Sequence, residues 1–193
     1  MLDNETKNKN KLEFMTLLSK LNVDITYFYQ YLCEINYFEQ PATIQCFRAY
    51  PGGLCKYALD LYFELTSLCK AYFPEKYSEE TIIKVALLKD IYRAELYEQY
   101  KRNVKNEITG LWETQLAYRV KDASQRQLFG DIGFSSFMIA KKYFNFSDEE
   151  IEAICNSDLS NKIDNLHDIY RKYPLVTLTK MANLAAGYLE VDL

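Results

Sequence analysis

The sequence contains only one histidine, His167, among 193 residues, and it also has few glycines and prolines. One imidazole cannot build a His-rich metal site, and a Cys–His nucleophile pair would require His167 to meet a cysteine in space. The P-loop and the GxGxxG, GxSxG and HExxH motifs are all absent from the chain. The sequence therefore contains no motif that indicates a known catalytic centre.

Long apolar runs are also missing, because no stretch approaches the roughly 20 residues that span a bilayer. The first residues, MLDNETKNKNK, lack the apolar core of a signal peptide. The five cysteines are odd in number and show no CxxC spacing, which is typical of thiols in a reducing compartment. Acidic residues outnumber basic ones, 27 to 23, which argues against general nucleic-acid or membrane binding. These features predict a soluble cytoplasmic protein.

The apolar residues that are present recur three and four positions apart, a spacing that indicates amphipathic helices. The length suits one domain, so we expect a flexible polar N-terminus over residues 1–10 and a single helical domain over residues 11–193. In the first half of the chain the sequence predicts one long helix over residues 12–40, one over residues 54–72 and one that begins after the cap Ser78. In the second half it predicts a helix that begins at residues 130–133, one that begins after the cap Ser147, and a closing helix over residues 174–190.

One segment departs from this helical pattern, because the apolar residues between Trp112 and Val120 alternate with a period of two. Residues 106–110 before it supply turn-forming asparagine and glycine. A β-hairpin over about residues 97–120 is the economical interpretation, with Trp112 as its hydrophobic anchor. The predicted fold class is therefore all-α, a mainly helical bundle with one small β-hairpin insertion.

The stretch KVALLKDIYR places three charged side chains, Lys89, Asp90 and Arg93, at the end of an apolar helical turn. Asp90 and Arg93 share a helix face, and Lys89 can reach the same point beyond the helix surface. These three groups can therefore converge on one ligand. The alternative is that they form a solvated charged edge at the end of a buried helix.

The order of several short motifs resembles the HD superfamily of metal-dependent phosphohydrolases, in particular its small branch from phages and mobile elements. The resemblance covers roughly residues 40–190 and implies an HD-like helical domain. The motifs that carry it are Gly52-Gly53-Leu54 entering a helix, the apolar turn ending in Asp90, Thr109-Gly110-Leu111-Trp112 in the hairpin, and Ala182-Asn183-Leu184-Ala185.

Most metal-binding positions implied by this resemblance hold other residues in the chain. The histidine after the glycine loop corresponds to Tyr57, the His-Asp dyad reads Lys89-Asp90, and the late aspartate corresponds to Asn183. The further family histidines fall at Ile132 and near Ser157, so only Asp90 remains as a metal ligand. A lysine about 4 Å from a divalent ion would repel it by about 8 kcal/mol at an effective dielectric constant near 20. We therefore expect no bound metal and no cofactor.

A cation one turn after the dyad, which contacts substrate phosphate in the family, is kept here as Arg93. With other cations nearby, the resemblance implies a basic pocket that suits a phosphorylated ligand without cleaving it. The alternative is that the cations balance buried carboxylates such as Asp60 and Asp90. The candidate ligand-binding residues are Arg48, Lys56, Tyr57, Lys89, Asp90, Arg93 and Asn183.

Three functions follow from this reading. The first is a catalytically inactive HD-like protein that binds a protein partner or a phosphorylated ligand such as a nucleotide, for example as a phage factor against host functions or defence. The second is a residual phosphohydrolase that uses Asp90 as a base. The third is a structural or homo-oligomeric interaction module, which the seventeen tyrosines and eleven phenylalanines would supply with interface area.

Overall fold

The computed structural model describes residues 2–128, 130–157 and 166–189. Within them the chain is mainly helical with one two-stranded antiparallel hairpin, which confirms the predicted fold class. No helix in these ranges is both long and apolar enough to cross a bilayer. The elements are α1 (Asn4–Leu18), α2 (Thr26–Glu34), α3 (Gly53–Tyr72), α4 (Glu79–Leu88), α5 (Tyr92–Leu96), β1 (Tyr97–Lys105), β2 (Trp112–Val120), α6 (Ile132–Ala140), α7 (Asp148–Asn156), α8 (Leu166–Lys172) and α9 (Pro174–Tyr188).

The N-terminal segment differs from the expected flexible stretch, because residues 4–10 already belong to α1. The side chain of Asp3 caps this helix by accepting a hydrogen bond of 2.7 Å from the backbone N–H of Thr6. Asn10 is buried, and Lys7 forms an ion pair of 2.8 Å with Glu39. These contacts hold the first turns of α1 on the body of the protein.

The single long helix expected over residues 12–40 is two helices, with a break between Leu18 and Thr26. Asp24 stabilises the start of α2, since its carboxylate accepts a 2.9 Å hydrogen bond from the backbone N–H of Thr26. The apolar spacing continues across the break because both helices pack on one core. Phe14 and Phe28, one from each helix, are fully buried.

Helix α3 forms the centre of that core. Its Leu54, Leu61 and Leu65 are fully buried, and α4 and α9 pack against it. Burial of one such leucine side chain contributes about 1.5–3 kcal/mol to stability. Helix α3 therefore positions residues of α4 and α9 relative to each other.

The predicted glycine turn before α3 has two different roles for its glycines. Gly52 has a φ of +82°, in the left-handed region that residues with a Cβ disfavour. Gly53 is needed for close approach, because a Cβ at this position would lie 2.2 Å from the backbone oxygen of Arg48. The absence of a Cβ at Gly53 therefore allows the loop before α3 to pack closely against the first turn of the helix.

The hairpin is confirmed, with Tyr97 opposite Val120 at its root and Lys105 opposite Trp112 near its tip. Trp112 is not its anchor as predicted, because 71% of this residue is exposed. Tyr97 and Tyr118 are the buried hairpin residues instead. They lie at the root, where the core is within reach, whereas Trp112 lies at the far end of a projecting element.

The later helices begin where the sequence indicated. Asp131 caps α6, a complete capping box opens α7, and Pro174 is the first residue of α9. Helix α9 ends at Tyr188, and Glu190 of the predicted closing helix lies outside the described residues, as do residues 158–165. His167 is an exposed residue of α8.

We expect Ser147→Ala to lower the free energy of unfolding by about 1 kcal/mol, because it removes the acceptor at the start of α7. Ser147 Oγ accepts from the Glu150 N–H at 3.3 Å, and Glu150 Oε2 accepts from the Ser147 N–H at 2.8 Å. Glu150 is buried and paired with Lys84 at 3.1 Å, so the cap also ties α7 to α4. Urea unfolding measures the loss, and exposed Ser124→Ala serves as a control that should change nothing measurable.

Candidate functional site

Lys89, Asp90 and Arg93 come together where the chain passes from α4 to α5. Lys89 Nζ lies 2.8 Å from Asp90 Oδ2, and Arg93 Nε donates to Asp90 Oδ1 at 2.6 Å. Lys89 is fully buried, and Asp90 and Arg93 are buried as well. The interpretation of these residues as a solvated charged edge is therefore wrong.

Asp90 is ionised within this cluster. Burial alone would raise its pKa, but the charges of Lys89 and Arg93 and their hydrogen bonds outweigh burial and lower the pKa to about 2. Both carboxylate oxygens are engaged, one by the ammonium group and one by the guanidinium group. Asp90 is consequently a poor general base at neutral pH.

Tyr57 and Asn183 form a second buried group that joins α3 to α9. The Tyr57 hydroxyl donates a hydrogen bond to Asn183 Oδ1. Asn183 Nδ2 in turn donates to the backbone oxygen of Ser157 at 3.3 Å. The Phe47 ring packs 5.2 Å from the Tyr57 ring, measured between centroids. This chain of contacts connects three segments of the fold through neutral groups.

Arg48 and Lys56 form a third group around Asp60. Arg48 Nη2 lies 2.6 Å from Asp60 Oδ2, and Lys56 Nζ lies 2.5 Å from Asp60 Oδ1. Arg48 also donates to the backbone oxygen of Ala186. These cations therefore balance a carboxylate, as the alternative interpretation of the sequence proposed for Asp60.

Tyr37, in a short 3₁₀ turn after α2, lies between the first two groups. Burial raises its pKa well above the ordinary value, and nearby Cys55, Asp90 and Tyr57 add to the increase. Asp90 and Tyr57 are thus both within electrostatic reach of one buried phenol. The structure brings the seven candidates into three neighbouring groups rather than around one open pocket.

The donor set in this region does not fit a divalent cation. Asp90 already binds two cationic groups, and Tyr57 and Asn183 offer neutral oxygens that are hydrogen-bonded to each other. Ile132, at the start of α6, offers no donor. Within the described ranges no three His, Cys, Asp or Glu side chains are grouped to hold a metal ion.

No protein-family model matches this chain, and no curated protein or solved structure is significantly similar to it. The HD relationship therefore stays a prediction. The case for it is the order of the short motifs in the sequence. The phosphate-binding role of the seven candidates also stays a prediction, and it would require their internal ion pairs to open.

A cavity of about 410 Å³, which no sequence pattern indicated, lies at the root of the hairpin. Among the described residues, none of the seven candidates lines it. Tyr97, on its wall, accepts a 3.0 Å hydrogen bond from Arg93 Nη1 and so connects the cavity to the Asp90 cluster. The lining residues are Glu34, Ile35, Asn36, Gln40, Tyr92, Ala94, Glu95, Tyr97, Glu98, Lys121, Gln125, Arg126 and Gln127.

Proposed function

We propose that this chain is a catalytically inactive, metal-independent HD-like protein that acts by binding a protein partner through its β-hairpin. The observation that carries the proposal is the contrast between the core and the hairpin. In the core, both carboxylate oxygens of Asp90 form ion pairs with Lys89 and Arg93, so Asp90 is not free to bind a metal ion. On the hairpin, large apolar side chains face solvent.

One face of the hairpin supports the binding role. The pairing register places Lys101 opposite Leu116 and Lys105 opposite Trp112, so these four side chains share a side of the two strands. We call them the hairpin face. All four are exposed, with Trp112 at 71% and Leu116 at 56%. Exposed apolar groups gathered on one projecting element are typical of interaction surfaces.

The charge of the hairpin face indicates the kind of partner. Lys101 and Lys105 have no carboxylate partner among the described residues, and no Asp or Glu lies on their side of the strands. On the opposite side, Glu98 already forms a 2.6 Å ion pair with Arg119. A basic and apolar face on an acidic chain fits a segment that is acidic and apolar, since complementary charge favours encounter and correct register.

The backbone offers a second means of attachment. The sheet has two strands in the described part of the chain, so each strand keeps one outer edge without a ladder partner. Such edges accept an additional extended segment through backbone hydrogen bonds. We propose that the acidic partner segment lies along the hairpin and places apolar side chains against Trp112 and Leu116.

A photo-crosslinking residue at position 116 should capture a partner from the native cell extract, whereas the same residue at position 115 should not. Gln115 lies opposite Arg102 on the other side of the hairpin, so positions 115 and 116 are on different faces but at nearly the same distance along the strand from the hairpin root. The captured protein is then purified and titrated against the chain. Trp112→Ala should weaken that affinity by about thirtyfold, equivalent to about 2 kcal/mol, as for an interface hot spot.

Charge reversal supplies the matched control for this experiment. Lys101→Glu should weaken binding strongly, and Arg102→Glu, the neighbouring position on the other face, should have little effect. Crosslinking only to a second copy of the chain would contradict a foreign partner and favour self-association. Phosphate release from nucleotides in the presence of divalent ions, abolished by Asp90→Ala, would contradict the catalytically inactive assignment.

A further inference from the structure

The cavity at the hairpin root has an unusual arrangement of charge. It is bordered by carboxylates from α2, α5 and β1 and by cations from the segment that follows β2. Its volume of about 410 Å³ is within the range of small-molecule sites. The hairpin face lies on the strands, whereas this cavity lies between their root and the helices, so the two surfaces are different.

The cations of the cavity are Lys121 and Arg126. Arg126 Nε donates to the backbone oxygen of Lys121 at 2.7 Å, which fixes the plane of the guanidinium group. Neither side chain forms an ion pair within 4.0 Å with any described carboxylate. Both cationic residues therefore border the cavity without a carboxylate ion-pair partner among the described residues.

The carboxylates Glu34 and Glu95 are in the corresponding situation. Glu95 Oε1 accepts a 2.6 Å hydrogen bond from the Tyr31 hydroxyl, which orients the group, and no described cation pairs with either glutamate. Opposite charges thus border one cavity yet remain too far apart to pair with each other. A molecule that carries both charges can satisfy both walls at once.

Tyr92 lines the cavity together with Glu95 and Arg126. Its hydroxyl donates to the backbone oxygen of Leu128 at 2.5 Å. Burial raises the pKa of Tyr92, nearby Arg126 lowers it, and nearby Glu95 raises it. A cation and an anion are therefore both within electrostatic reach of this one phenol on the cavity wall.

The other polar lining residues include Glu98, which is already paired with Arg119 at 2.6 Å, and four amide side chains, Asn36, Gln40, Gln125 and Gln127. Each amide offers a donor and an acceptor, which suits a ligand with neutral polar groups between its charged ends. Ile35, Ala94 and the rings of Tyr92 and Tyr97 add apolar contact for the carbon atoms of such a ligand.

We propose that this cavity binds a zwitterionic small molecule of the amino acid class, with its carboxylate on Lys121 and Arg126 and its ammonium group on Glu34 and Glu95. The amide side chains contact the polar groups between these ends. None of the seven core residues lines this cavity, which contacts them through the hydrogen bond from Arg93 to Tyr97, and the cavity is separate from the protein-binding hairpin face.

The experiment titrates the full chain with the twenty common amino acids by calorimetry after a thermal-shift screen. At least one amino acid should bind saturably, and both its methyl ester and its N-acetyl derivative should bind about tenfold more weakly or worse, since each lacks one charge-assisted contact. A panel of nucleoside monophosphates is titrated alongside. Binding by a nucleotide but by no amino acid would overturn the proposal.

Two substitutions test which cavity residue binds each charged group of the ligand. Arg126→Gln should remove the preference for the free amino acid over its methyl ester, and Glu95→Gln should remove the preference over the N-acetyl derivative. Glu95→Gln keeps the acceptor for Tyr31, so the fold is preserved. Exposed Arg102→Gln and Glu107→Gln are the matched controls and should leave all affinities unchanged.

Three results would overturn the amino acid assignment. These are no saturable binding of any amino acid at millimolar concentration, equal affinity for an amino acid and both of its derivatives, or equal affinities in wild type, Arg126→Gln and Glu95→Gln. None of these results bears on the partner captured at position 116, so failure here is distinguishable from failure of the proposed protein-binding function.

Discussion

Asp90→Ala should lower the free energy of unfolding by about 3–5 kcal/mol, the loss expected when one member of a buried charge cluster is removed. The variant leaves Lys89 and Arg93 buried beside each other without the carboxylate that each now contacts at 2.8 and 2.6 Å. Urea unfolding at pH 7 measures the loss. Asp122→Ala removes an exposed aspartate and should stay within about 0.5 kcal/mol of wild type.

The difference in free energy of unfolding between wild type and Asp90→Ala should depend on pH, and this dependence tests whether the charge of Asp90 is the cause. The pKa of Asp90 is lowered from 3.8 in the unfolded chain to about 2 in the folded protein, so ionised Asp90 stabilises the fold above pH 3.8. That contribution is lost as pH falls through about 2. The stability gap between wild type and Asp90→Ala should therefore narrow as pH falls from 4 to 2. A gap below about 1 kcal/mol at pH 7 would contradict a stabilising role for the cluster.

Gly53→Ala should destabilise the protein by about 1–3 kcal/mol or more, because overpacking against backbone cannot be relieved by a side-chain rotation. The new Cβ would lie 2.2 Å from the Arg48 backbone oxygen. That oxygen also accepts a 3.1 Å hydrogen bond from the N–H of Ala42, so the loop cannot move without losing a contact. Thermal and urea unfolding measure the effect.

Gly187→Ala is the matched control for this substitution. Its Cβ would lie 3.3 Å from a side-chain carbon of Phe47, and the ring can shift by a few tenths of an ångström. Position 187 is also helical, where alanine is favoured over glycine by about 1 kcal/mol. We therefore expect a small net change of either sign. Equal losses for the two variants would show that the backbone approach at Gly53 is not the cause.

These two predictions concern folding, and they separate the core cluster from the proposed binding surfaces. If Lys89, Asp90 and Arg93 serve mainly to hold α4 and α5 together, their variants should lower stability while Trp112→Ala leaves it nearly unchanged. A tryptophan that is 71% exposed contributes little burial in the isolated chain. Stability and partner affinity measured on the same variants would therefore distinguish a structural role from a binding role.

Features set by local chemistry could be predicted from the sequence. Ser78, Asp131 and Ser147 cap helices because a side-chain oxygen can accept from an N–H two or three residues later, whatever lies elsewhere. The hairpin followed from its period-two pattern and its turn. The grouping of Lys89, Asp90 and Arg93 also followed from helical spacing, and burial then made the cluster structural rather than solvated.

The break between α1 and α2 could not be predicted in this way. Both helices face one core, so the apolar spacing continues across the break, and a pattern of three and four does not reveal where the axis changes direction. The sequence pattern likewise predicts Trp112 as the hydrophobic anchor of the hairpin. Only the length of the projecting strands decided that it faces solvent.

The sequence by itself determined the helices, the hairpin and the loss of histidines from the positions that the family resemblance implied. The tertiary structure decided which charged side chains lie around the same cavity. Lys121 and Arg126 lie about 90 residues beyond Glu34 in the chain, and folding alone brings them to one cavity. Local patterns report backbone conformation, since they arise from contacts within a few residues, whereas a binding site depends on long-range packing that no short stretch encodes.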